Sequence, residues 1–119
     1  MTDINILLAE EDVVVATDLA VELEASGLVL SAINSSVAGV LKSIEAEDVD
    51  FAVLNVGLRD GVVYPAARQL KTLNIPFAFL TSFDSSEIDS EFRDVPCLSK
   101  PQAPRTIAEF VAGLAKTPV

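Results

Sequence analysis

The sequence predicts an α/β domain built from β-α units in strict succession, with one parallel sheet covered by helices on both faces. Three observations lead there. Short runs rich in Val, Leu, Ile and Phe, at residues 4–9, 28–33, 51–54, 77–80 and 95–98, are apolar at nearly every position. Strands with one wet face alternate in polarity, so runs of this kind belong to strands buried on both sides. The segments between them carry apolar residues three or four apart, the period of a helix with one buried stripe. The two textures alternate from end to end, which implies parallel strands joined by helical crossovers. At 119 residues, 50% hydrophobic and 22% charged, the chain is expected to form a single domain over 1–119. Such a domain buries roughly two-thirds of its unfolded surface, enough for a sizeable core.

Each helix has its own boundary signals. The first is predicted from an N-cap at Asp12 to Ser26, with Gly27 as its stop. Val15, Leu19 and Leu23 supply its apolar stripe, with Ala16 and Ala20 beside them. The second spans 37–47 behind a Ser36 cap and turns Val40, Leu41 and Ile44 inward. The third spans 65–73, where Pro65 suits the first turn. The fourth, 86–92, is short and polar, with only Ile88 and Phe92 as apolar anchors. The last, 104–116, carries Ile107, Phe110, Val111 and Leu114 along one side. Right-handed crossovers then lead to a flavodoxin-like (βα)5 three-layer sandwich with strand order 2-1-3-4-5. In such sheets ligands sit beyond the carboxyl ends of the strands, so the chemistry is sought there.

Those ends hold a coherent set. Glu10, Glu11 and Asp12 follow the first strand, Asn55-Val56-Gly57 the third, Thr81-Ser82 the fourth and Ser99-Lys100-Pro101 the fifth. Carboxylates with an amide oxygen make a hard-oxygen site suited to Mg²⁺. A hydroxyl and an ammonium facing it suit a phosphoryl group or another tetrahedral anion.

The segments ILLAEED, VLNVGLRDG, FAFLTS and CLSKP, in register on these units, resemble the receiver domains of bacterial response regulators. The resemblance covers essentially the whole chain. It implies that Glu10 and Glu11 are the acidic pair and that Asn55 stands at the phosphoacceptor position. It further implies that Glu10, Glu11, Asn55 and the Gly57 carbonyl form the Mg²⁺ site, and that Thr81, Ser82 and Lys100 bind the phosphoryl group and drive the switch. Cys97 occupies the aromatic switch position, with Phe83 as a substitute gate, and the Lys100–Pro101 bond is expected to be cis. The partner face would be the fourth helix, fifth strand and last helix, through Glu87, Ile88, Glu91, Phe92, Ala108 and Ala112. The partner would be a sensor kinase, an output protein or a second copy.

Three positions depart from the family pattern. Asn55 replaces an aspartate, and an amide is too poor a nucleophile to form an acyl phosphate. Glu11 is one methylene longer than the usual Asp. Cys97 is too small to serve as a rotating gate and reads as a small buried hydrophobe. The chain therefore reads as a single-domain receiver that is not phosphorylated as written, binds Mg²⁺ weakly and acts through protein contact. A second reading is an ordinary phospho-accepting receiver carrying an introduced Asp-to-Asn change at 55. A third is a small α/β enzyme using the acidic strand-end site.

Composition narrows the alternatives. With 8 basic and 18 acidic residues, net −10, the surface repels nucleic acid and anionic lipid. The absence of histidine removes His-based acid/base chemistry and Ser-His triads, and the chain is no histidine phosphodonor. Cys97 alone makes neither an intramolecular disulfide nor a zinc cluster. Glycines 27, 39, 57, 61 and 113 fit neither nucleotide-binding pattern. The acidic loop after strand 1 would repel a flavin phosphate. No signal-peptide pattern and no apolar run of ~20 residues is present, so a cytoplasmic location is expected.

Overall fold

The computed structural model describes residues 3–82 and 88–116. Strands β1 (Asn5–Ala9), β2 (Val29–Asn34), β3 (Phe51–Asn55), β6 (Phe77–Thr81) and β7 (Cys97–Ser99) form one parallel sheet in the order β2-β1-β3-β6-β7. Counted along the chain without the intervening hairpin, this is the expected order 2-1-3-4-5. Helices α1 (Val13–Ala25), α2 (Val37–Ala46), α3 (Tyr64–Thr72) and α4 (Pro104–Ala115) cover it, α1 packing with α4 and α2 with α3.

The continuous apolar runs are explained by two cores, one on each face. Leu7, Ala9, Ala52, Leu54, Phe77 and Phe79 point into the layer under α2 and α3. Their chain neighbours Ile6, Leu8, Phe51, Val53, Ala78 and Leu80 point into the layer under α1 and α4. Successive side chains of a strand alternate faces, so burial of both faces demands apolar residues throughout. All five positions of β3 and of β6 are buried.

Caps set the helix starts as their residue types require. Asp12 accepts from the backbone N–H of Val14 (2.9 Å) and Val15 (3.2 Å), and Ser36 accepts from that of Gly39 (3.0 Å). Gly27, with φ +89°, follows α1 in the left-handed region where glycine is unstrained. The Arg59-Asp60-Gly61 turn joins a two-stranded antiparallel hairpin, β4 (Gly57–Leu58) and β5 (Gly61–Val62). The Asp60 carboxylate bonds the N–H of Val37 (2.6 Å) and Ala38 (3.2 Å), so the hairpin tip is latched to the start of α2.

Two expectations change. The fifth strand starts at Cys97 and not at Val95: Pro96 has no N–H to offer a ladder, although its carbonyl accepts from Phe79 N at 2.9 Å. The predicted helix over 86–92 is, within the described residues, only a 3₁₀ turn over Ser90–Phe92, and 83–87 lie outside them. Phe92 is drawn into the core, stacking on Tyr64 at 5.1 Å and meeting Phe79 edge-on at 5.5 Å. The Tyr64 hydroxyl accepts from Asp89 N (3.0 Å), Arg68 forks onto the Glu91 carboxylate (2.7 and 3.3 Å) and Lys71 donates to the Glu91 carbonyl (3.0 Å). These bonds hold the turn against α3.

Candidate functional site

β1, β3, β6 and β7 are parallel, so the residues at their C-terminal ends share one rim. Glu10 follows β1, Asn55 closes β3, Thr81 closes β6 and Lys100 follows β7. Glu10, Asn55 and Thr81 are buried. A buried carboxylate must find partners for its charge and lone pairs. Glu10 does so on both oxygens. Its Oε1 accepts from Lys100 Nζ at 2.7 Å; its Oε2 accepts from Asp12 N at 3.0 Å and, in a longer contact, from Asn55 Nδ2 at 3.4 Å. Asn55 Nδ2 also donates to the Gly57 carbonyl at 2.9 Å. The Lys100 backbone N–H donates to the Thr81 carbonyl at 2.7 Å, and the Lys100–Pro101 bond is cis, as expected. Glu10, Asn55, Gly57 and Lys100 are thus joined by side-chain bonds, with Thr81 tied to the same group through its backbone.

The other expected site residues are placed differently. Glu11 is exposed and has no hydrogen bond or ion pair among the described residues. The chain turns outward there to bring Asp12 onto the α1 N-terminus. Ser82 is exposed, and Phe83 lies outside the described residues. Cys97 is half-buried opposite Phe79 in the β6–β7 ladder, and desolvation pushes its thiol above the ordinary range. It is a protonated filler, in keeping with the reading as a small hydrophobe. Among the described residues, no three of His, Cys, Asp and Glu converge as metal ligands.

The expected partner face needs correction. Phe92 (1% exposed) and Ala108 (0%) belong to the two cores and offer no surface to a partner. Their apolar character serves the fold, Phe92 under α3 and Ala108 where α4 meets the sheet and α1. Ile88 and Ala112 are half-buried against the same cores, Glu91 is exposed but paired with Arg68, and Glu87 lies outside the described residues. The clamp of Tyr64, Arg68 and Lys71 was not anticipated as a unit. Their spacing of four and seven puts them on one helical face, a pattern readable in the sequence.

No family model matches the chain, and no curated protein matches it. Solved structures do. SdrG from Sphingomonas melonis Fr1 is 34% identical, with 97% of this chain and 98% of that chain covered and a TM-score of 0.79. The receiver (REC) domain of the Erythrobacter litoralis PhyR response regulator is 17% identical over 100% of this chain and 97% of its own, with a TM-score of 0.82. A CheY-like receiver domain protein from Methanospirillum hungatei JF-1 is 18% identical over 96% and 94%, with a TM-score of 0.83. The sheet order, the rim of Glu10, Asn55, Thr81 and Lys100, and 34% identity across nearly the full length of both chains lead to one conclusion: the chain belongs to the response-regulator receiver domains.

Proposed function

We propose that this receiver module of two-component signalling works without a phosphoryl group at residue 55 and acts by protein–protein contact, not as an enzyme. The observation that carries the reading is chemical: the position closing β3, where the family forms its acyl phosphate, is a buried amide. An amide nitrogen's lone pair is delocalised into its carbonyl, and neither it nor the oxygen competes with a carboxylate as nucleophile. Incubation with a small phosphodonor and Mg²⁺, read by intact mass, is expected to show no adduct. A stoichiometric adduct mapping to residue 55 would overturn the proposal.

Mg²⁺ binding is proposed to be weak. An amide at 55 removes one negative charge, and Lys100 sets its ammonium on Glu10. At an effective dielectric near 20, a unit charge at ~4 Å is worth about 4 kcal/mol before solvation offsets it. The partner, a kinase, an output protein or a second copy, is proposed to dock on the 3₁₀ turn, β7 and α4. A second reading has a specific observation behind it. Val13, Val14 and Val21 on α1 are 62–73% exposed, and Ile33 on the edge strand β2 is 50% exposed, whereas no described α4 residue is among the exposed large hydrophobics. That favours an α1–β2 face. Among the described residues no helix is long and apolar enough to cross a membrane; a cytoplasmic setting is part of the proposal.

A further inference from the structure

The receiver reading directs a divalent cation at the Glu10 carboxylate, the carbonyl of Gly57 and the side chain at 55. In this chain the first two are already joined. Asn55 Nδ2 stands 2.9 Å from the Gly57 oxygen and 3.4 Å from Glu10 Oε2. The orientation of the carboxamide follows from its neighbours, because a carbonyl and a carboxylate only accept, so the NH₂ group must face them. An amide donor and a metal ion satisfy the same lone pairs. The donor, though, brings no formal charge and needs no dehydration.

We propose that the Asn55 carboxamide takes the cation's place in this domain: its NH₂ group bridges the oxygens of Glu10 and Gly57, and divalent cations add nothing to the closed rim. The surrounding donor set supports this. Glu10 Oε1 is held by the Lys100 ammonium at 2.7 Å and Oε2 by the N–H of Asp12 at 3.0 Å, so each carboxylate oxygen already has a donor beside it. The Asp12 carboxylate is spent on the start of α1, bonding two backbone N–H groups. Glu11 is exposed. Across Glu10, Glu11 and Lys100 the net charge is −1, and an aspartate at 55 would make it −2. Mg²⁺ demands near-octahedral oxygen geometry and gives up its waters reluctantly. To present its own oxygen to a cation, the buried Asn55 would have to rotate. It would then lose both donor contacts and set its own oxygen against those of Glu10 and Gly57.

The inference rests on the receiver reading only for which oxygens a cation would use. It is tested by thermal unfolding of the protein and of Asn55→Asp, each in Mg²⁺ and in chelator. In a domain of this size, a tenfold excess of metal over its dissociation constant corresponds to a Tm gain of about 4–8 °C. The expected result is a change under about 1 °C for the protein with Asn55. Asn55→Asp, which sets a second carboxylate beside Glu10, is expected to melt lower in chelator and to recover with Mg²⁺. An equal gain in both proteins overturns the proposal, as does a folded Asn55→Asp that gains nothing. Should the variant fail to fold, the protein with Asn55 decides alone. Its Asn55 side-chain NH₂ signals, followed by NMR, are expected to stay put through an Mg²⁺ titration, and a saturable shift shared with Gly57 overturns the proposal. An Asn55→Asp that gains stability with Mg²⁺ yet accepts no phosphoryl group would count against the signalling reading while leaving this one intact.

Discussion

At the scale of single residues, the rim depends on one ion pair. Glu10 is 2% exposed, and the Lys100 ammonium on its Oε1 is what makes a charge tolerable there. Removing one partner of such a pair costs more than the pair contributes, because the other charge stays buried. Lys100→Met is therefore expected to lower stability by about 2–4 kcal/mol, at the lower side of fully buried cases because Lys100 is partly open to water. Lys100→Arg is expected to lose less. Urea unfolding at pH 7 measures both, and a Lys100→Met midpoint within error of the unsubstituted protein would contradict the assignment. Glu10, Asn55 and Lys100 were legible in the sequence because an apolar run marks where its strand ends. Glu11 was not: nothing in adjacent acidic residues says which side chain turns inward, and the decision falls to Asp12, the next residue, which caps α1. Nor was the donor role of Asn55 legible, since a carboxamide carries both an oxygen and an NH₂ group and its neighbours choose between them.

At the scale of elements, the five sheet strands and four of the helices were readable because burial on two faces and burial on one stripe leave different periods. The segment before β7 was misread for a physical reason. Ile88 and Phe92 are four apart and look like a helical stripe, but Phe92 instead fills the aromatic cluster with Tyr64, Phe77 and Phe79. A 3₁₀ turn puts it there, held by bonds from α3 that lie more than a dozen residues away in sequence. The antiparallel β4–β5 hairpin has no counterpart among the expected elements, since two-residue strands leave no periodic trace. Tyr64→Phe keeps the ring stacking and removes the acceptor for the half-buried N–H of Asp89. The expected cost is about 1 kcal/mol. Amide exchange at 88–92 is expected to speed up while that of β3 keeps pace with global unfolding. Unchanged exchange at Asp89 would show that the hydroxyl does not hold the turn.

At the scale of the whole molecule, charge and apolar exposure are unevenly shared. The chain carries −10, yet five of the seven large exposed aliphatic side chains among the described residues lie on α1 and β2, and none lies on α4. Two variant pairs separate the docking faces. Arg93→Glu with Glu109→Lys alters the α4 side; Val14→Asp with Val21→Asp alters the α1 side. All four positions are exposed, so each change is expected to alter stability by no more than about 0.5 kcal/mol. Co-purification with a co-expressed kinase and sedimentation for self-association provide the measurement. Loss in the first pair alone keeps the partner on the turn, β7 and α4, and loss in the second pair alone moves it to α1 and β2.

The latch between the hairpin and α2 makes the loop beside the rim sensitive to acid. Asp60 bonds the N–H groups of Val37 and Ala38, and those bonds hold its carboxyl below the ordinary value of 3.8. A carboxyl depressed in the folded state stabilises the fold above its unfolded pKa, and that contribution drains away as pH falls through the folded value. The latch is therefore intact at neutral pH and opens only below the ordinary carboxylate range, with high salt weakening it because Asp60 is exposed. Asp60→Asn is expected to flatten the loss of stability in that acidic window and to leave the neighbouring Gly57 amide less protected from exchange at pH 7. Strong acid would thus release the chain next to Asn55 only at a pH where carboxyls of ordinary value are already protonated.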